Sequence, residues 1–137
     1  MKTNYLFVYG TLKRDIINSK HNLIAKYVKF VGYGFVYGKL YEVNNYPALI
    51  LDKSAKSKVY GEIYKIKKPY FKKLFKILDD YEECSNRFKK PYEYKRVVAN
   101  AYLRGRKIKV WLYEYNYKTD GLKLIKSGDY TLYINSI

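Results

Sequence analysis

The chain has 137 residues, with 28 Lys and Arg against 12 Asp and Glu for a formal charge of +16. That is enough chain for one domain with its own core, and the charge is that of a protein suited to polyanions. One cysteine and one histidine exclude an internal disulfide framework and a Cys/His zinc cluster. No apolar run approaches the roughly 20 residues that cross a bilayer, and the N-terminal run, Tyr5 to Tyr9, is too short for a signal peptide. The expectation is a single domain over residues 1–137, cytoplasmic, with no membrane partner, metal or cofactor.

Tyr5 to Tyr9 is apolar on both pleat faces, as for a strand in the middle of a covered sheet. Ile16 to Tyr27 places Ile16, Leu23, Ile24 and Tyr27 near one helical face, so a helix is expected there although Asn18 and Ser19 weaken it. Lys29 to Glu42 reads as a strand whose Gly32, Gly34 and Gly38 mark bulges or bends. Tyr46 to Leu51 and Lys58 to Ile66 follow as strands, which makes a run of antiparallel hairpins. From Pro69, "PYFKKLFKILDDYEE" carries Phe71, Leu74, Phe75 and Leu78 at helical spacing, with proline in the first turn. After a polar loop around Ser85 to Pro91, "YEYKRVVANAYLR" and "KIKVWLYEYN" form a hairpin through Gly105. The tail "IKSGDYTLYI" is short and mixed. The sum is an α+β chain: a small, mixed, partly closed β-barrel flanked by helices.

Few standard chemistries have support. None of the six serines lies in a G-x-S-x-G elbow, and there is no phosphate-binding glycine loop. His21 and Cys84 form no nucleophile motif. What stands out is the acidic cluster "LDDYEE" at the C-terminus of the predicted helix, where acids oppose the macrodipole. Advancing about 100° per residue from Phe71 puts Asp80 opposite the apolar face, Asp79 and Glu83 to either side, and Glu82 almost onto it. A carboxylate on an apolar face either pairs with a lysine or has its pKa raised; in the second case it suits proton transfer near neutral pH.

Taken in order, "FVYGTLKR", "GKLYEVNNYPALI", "VYGEIYKI", "LDDYEE", "YEYKRVVANAY" and "SGDY" resemble the gamma-glutamylcyclotransferase-like family, in particular its gamma-glutamylamine cyclotransferase branch. The resemblance implies a small mixed β-barrel and a cofactor-free enzyme that closes the glutamyl part of a γ-glutamyl amine or amino acid into 5-oxoproline and frees the amine. It maps the substrate loop to Tyr9, Gly10, Thr11 and Leu12 and the catalytic general acid/base to Glu82. Tyr115 and Arg96 are weaker candidates for the pocket rim. The substrate's own α-amine attacks its γ-carbonyl, so the reaction needs no serine, cysteine or metal. Glycine at the turn lets a ligand approach backbone donors without a Cβ in the way. Where the family commonly has glycine after the glutamate, this chain has Glu83, a second carboxylate that would alter the proton affinity of Glu82. Two other readings stand beside this one: a non-catalytic small-ligand-binding protein of the same fold, and a basic nucleic-acid-binding domain. The oligomeric state is open.

Overall fold

In the computed structural model, which describes residues 3–54, 56–85 and 87–136, the glycine-punctuated middle of the chain forms one very long strand, β2 (Val28–Val43). Its first part lies antiparallel to β4 (Lys58–Ile66), from Val28 opposite Ile66 to Tyr37 opposite Lys58. Its last part lies antiparallel to β3 (Tyr46–Leu51), from Gly38 opposite Leu51 to Val43 opposite Tyr46. A strand shared between two partners must bend, and the register with β4 slips between Phe30 and Gly32, a bulge of the expected kind.

The remaining strands close a ring. β1 (Tyr5–Val8) lies between β4, antiparallel, and β6 (Arg106–Tyr115), which it meets in parallel at Leu6 opposite Trp111. β6 forms a hairpin with β5 (Tyr94–Leu103), and β5 returns to β2 at Phe35 opposite Tyr102. Five strands, β2-β4-β1-β6-β5, therefore form a closed barrel, with β3 and the two-residue β7 (Lys123–Leu124) attached to the far half of β2. The hairpin turn has positive φ at both Arg104 (49°) and Gly105 (78°), as a two-residue turn of matching twist requires. The closure depends on Gly34, where a Cβ would stand 2.6 Å from the Tyr102 carbonyl oxygen and 2.7 Å from Ile63 Cδ1.

Helix α1 (Phe71–Tyr81) follows a single 3-10 turn that contains Pro69, and it buries Leu74, Phe75 and Leu78 as the periodicity predicts. Those residues pack with Leu6, Val8 and Tyr64 on the outer wall, while Phe7, Val36, Val59, Ile63, Ala101 and Leu112 form a second cluster on the inner side. β1 contributes alternate residues to both clusters, which is why its sequence shows no polar face. The tail forms a short helix, α2 (Tyr130–Asn135), whose N-cap Asp129 accepts the Leu132 N–H at 3.1 Å. Among the described residues no helix is long and apolar enough to cross a membrane.

One expectation is corrected. Residues 16–27 form two isolated 3-10 turns, His21–Leu23 and Ala25–Tyr27, and not a helix. Asn18 sits at φ 57°, and Ser19 Oγ receives the His21 N–H and donates to the Lys13 carbonyl. The Ser19 hydroxyl satisfies backbone groups that a helix would have used. Ile16, Ile24 and Tyr27 are nevertheless buried, whereas Leu23, the fourth residue of the expected face, is 36% exposed.

Candidate functional site

β1 ends at Val8, and the chain turns through Tyr9–Leu12 into segment 13–27. The carbonyls of Gly10 to Lys13 are hydrogen-bonded within their own segment. Gly10 O accepts Lys13 N (3.0 Å), Thr11 O accepts Lys20 N (2.6 Å), Leu12 O accepts His21 Nδ1 (3.1 Å), and Lys13 O accepts Ser19 Oγ. With its acceptors held on one side, the turn presents its other side to a cavity of about 410 Å³, a size suited to a small-molecule ligand. Gly10 has a reason to be glycine that differs from the sequence expectation: a Cβ there would meet the Pro47 ring at 2.5 Å, so β3 packs directly on the turn.

The same cavity is lined by Phe7, Val8, Tyr9, Gly10, Thr11 and Leu12 together with Tyr81, Glu82 and Glu83 from the end of α1. Thr11 Oγ1 and the Tyr81 hydroxyl are 2.6 Å apart and fasten turn to helix. α1 stops with Glu82 as C-cap, Glu83 in the left-handed region (φ 57°), Glu83 N–H to Asp80 O (3.1 Å) and Cys84 N–H to Asp79 O (2.8 Å). This is the Schellman arrangement, in which the left-handed position is normally glycine. Glu83 thus occupies the backbone conformation that the family's glycine suits, and the turn keeps its shape.

The four carboxylates of "LDDYEE" separate much as the helical wheel places them. Asp79 accepts the Tyr113 hydroxyl (2.6 Å) and pairs with Arg96 (3.7 Å); Asp80 accepts Ser85 Oγ (2.6 Å) and pairs with Arg87 (3.3 Å). Those contacts offset the unfavourable position of two acids at a helix C-terminus. Glu82 faces the cavity. Burial, with smaller contributions from Glu93 and Glu83, pushes its pKa from the ordinary 4.5 up to about 8.

Of the residues singled out from sequence, Glu82, Tyr9, Gly10, Thr11 and Leu12 therefore share one cavity. Tyr115 and Arg96 lie away from its lining. Tyr115 packs its ring 5.5 Å from that of Tyr94, and the Arg96 guanidinium lies 4.4 Å over Phe75 and 5.4 Å over Trp111 on the helix side. The Tyr9 hydroxyl donates to the Tyr113 carbonyl at 2.5 Å, so this residue offers the cavity its ring and not its O–H. Asn45, Tyr46, Pro47, Glu93, Tyr94 and Tyr113 complete the lining and are not among the residues singled out from sequence. Glu93 accepts the Tyr46 hydroxyl (2.6 Å), and Tyr94 donates to the Pro47 carbonyl (2.7 Å). The available signal was an isolated acid, Glu93, among the lysines and tyrosines of "KKPYEYKR".

The chain is thus a closed five-stranded barrel whose first strand ends in a turn at a cavity that Glu82 also lines. The chain belongs to the gamma-glutamyl cyclotransferase, AIG2-like family, whose model matches residues 6–132. No curated protein matches the sequence. Among solved structures it is similar to an uncharacterised protein of Pyrococcus horikoshii (25% identity, 96% of this chain and 93% of that one, TM-score 0.67). It is similar also to a mouse AIG2-like protein (24% identity, 88% and 92%, TM-score 0.61). Bacillus subtilis YkqA matches 98% of this chain at 20% identity and TM-score 0.71, the chain spanning 43% of YkqA's length.

Proposed function

We propose that the protein cyclises a γ-glutamyl amine or γ-glutamyl amino acid to 5-oxoproline, releasing the free amine or amino acid, with Glu82 as general acid/base. The observation that carries this reading is that Glu82 and the Tyr9–Leu12 turn line the same cavity. In such a substrate the α-amine attacks the γ-carbonyl carbon, a C–N bond forms to close a five-membered lactam, and the original γ-amide C–N bond breaks. The protein has to fold the substrate so that nitrogen and carbon approach to about 3–3.5 Å, and positioning of this kind is worth up to ~7–11 kcal/mol. The amides of Gly10, Thr11 and Leu12 serve as donors for the α-carboxylate or the developing oxyanion. Glu82 accepts a proton from the α-ammonium and passes one to the departing nitrogen, so it begins and ends each turnover in the same state. A carboxyl with a pKa of about 8 is matched to both steps near neutral pH.

The test is a panel of γ-glutamyl substrates, γ-glutamyl-ε-lysine among them, assayed for stoichiometric 5-oxoproline. Glu82→Gln should fold normally and lose about 10²–10⁴-fold in kcat. Wild-type protein that releases every bound panel member unchanged would establish a binding protein in place of the enzyme.

A further inference from the structure

The outer wall of the barrel is covered along Leu6 and Tyr64 by α1 and segment 13–27, whereas further along Phe35, Tyr37 and Tyr102 are half-buried and Tyr60 is exposed. There the pairing sets Tyr60 of β4 beside Phe35 of β2, Phe35 beside Tyr102 of β5, and Tyr102 beside Lys107 of β6, one residue from each of four strands. These residues alternate with the inward Val59, Val36 and Ala101, each 0% exposed, so they stand on the outer face. The rings lock together: Phe35 and Tyr102 are stacked at 5.4 Å and 19°, and Tyr37 and Tyr60 meet Phe35 edge-on at 5.4 Å and 6.1 Å. Tyr60 is 40% exposed, and its neighbour on this face, Tyr33, is 58% exposed.

The platform separates two grooves. One, of about 490 Å³, is lined by Tyr33, Tyr60, Tyr102, Arg104, Lys13 and Thr131 among others. The second, of about 480 Å³, is lined by Tyr37, Tyr102, Asn100, Lys53 and Lys109 among others. Tyr102 belongs to both. Within the first groove Thr131 Oγ1 is buried with no partner among the described residues, and Lys13 is 4% exposed. Lys58 Nζ lies 4.5 Å over the Phe35 ring. The acids beside these grooves have partners: Asp129 pairs with Lys13 (3.6 Å), Asp15 accepts the Tyr33 hydroxyl (3.4 Å) and Asp52 accepts Ser54 Oγ (2.8 Å).

We propose that this face binds single-stranded nucleic acid. Preformed aromatic rings on a sheet offer π-faces to unstacked bases, and the two grooves beside Tyr102 give flanking bases room. Lys53, Lys58, Arg104, Lys107 and Lys109 meet the phosphates. A second copy of the chain is the poorer occupant, because a two-fold contact would set these cations against themselves. The face shares no lining residue with the Glu82 cavity, and the proposal does not depend on the reaction there.

The experiment measures fluorescence anisotropy of fluorescein-labelled dT12 and U12 with the full chain in about 150 mM salt, beside competition by heparin, an anion without bases. Y60A/Y102A should weaken oligonucleotide binding by about 10-fold or more, since stacking is worth ~1–3 kcal/mol per base. It should leave heparin retention and 5-oxoproline formation unchanged. Y60A alone, at a part-exposed position, serves where the double variant unfolds, and K58Q/K107Q should reduce the slope of log K against log salt by about 1–2. Equal binding of heparin and oligonucleotide with no effect of Y60A overturns the proposal. So does self-association abolished by Y60A without any oligonucleotide binding.

Discussion

At Glu82 and Glu83, function and stability pull on neighbouring side chains of one turn. Because the folded protein holds the Glu82 proton up to about pH 8 while an ordinary carboxyl releases it near 4.5, protonated Glu82 costs the fold nothing at low pH. Stability is lost progressively as pH rises through that window. Glu82→Gln should remove this slope, so that its stability advantage over wild type grows from pH 5 to pH 9 in urea titrations. For the proposed reaction the sign is reversed: Glu82 as base would be competent only when ionised, so kcat/KM should rise with pH along a limb near pH 8. Glu93→Gln removes one of the charges that raise Glu82 and should move that limb to lower pH, read directly from the pH–rate profile. Glu83 holds φ 57°, a region that costs a side chain about 1–2 kcal/mol, partly offset by the greater unfolded-state freedom of glycine. Glu83→Gly should accordingly stabilise the protein by roughly 0.5–1 kcal/mol in chemical denaturation and also lower the Glu82 pKa.

Among the elements, segment 13–27 fastens the Tyr9–Leu12 turn to the barrel, and the joint is a buried acid on β4. Glu62, 0% exposed, accepts the Arg14 N–H (2.9 Å) and the Tyr64 hydroxyl (2.7 Å) through Oε1. Burial raises its pKa against the pull of those two donors, and Asp15 adds to the rise. Glu62→Ala would strand an amide and a hydroxyl beneath the segment, a cost of about 2–3 kcal/mol. Glu62→Gln keeps the accepting oxygen and should cost under about 1 kcal/mol. Urea unfolding of the pair measures the difference, and in the Ala variant the loosened turn should raise KM more than it lowers kcat. α1 was legible because its stripe of Phe71, Leu74, Phe75 and Leu78 packs on one wall. Residues 16–27 depart from the helical expectation because Ser19 bonds to the Lys13 carbonyl and Asn18 takes a left-handed backbone, features that no periodicity reveals.

Across the whole molecule, the barrel closes where β2 and β5 touch, and the contact is narrow. Gly34→Ala would drive a Cβ into the Tyr102 carbonyl and Ile63, both closer than 3.0 Å. The variant should lose about 1–3 kcal/mol of stability, seen as a lowered Tm, with the largest gain in amide exchange along β5. The pairing of the strands also brings Lys53, Lys58, Arg104 and Lys109, far apart in sequence, to the aromatic face around Phe35 and Tyr102.

Strand positions, the helix with its apolar stripe, and the inward tilt of Glu82 are local properties. They follow from periods of two and about 3.6 residues and from proline and glycine placement, and the sequence by itself determined them. Strand partners were beyond that reach. The parallel contact of β1 with β6, the return of β5 to β2 and the second wall of the cavity at Pro47, Glu93 and Tyr94 join residues far apart in the chain. Such pairings are selected by the mutual burial of faces that exist only when the barrel is closed. Tertiary structure alone decided that Gly10 is glycine for the sake of Pro47, and that Tyr9–Leu12 and Glu82 line a single cavity.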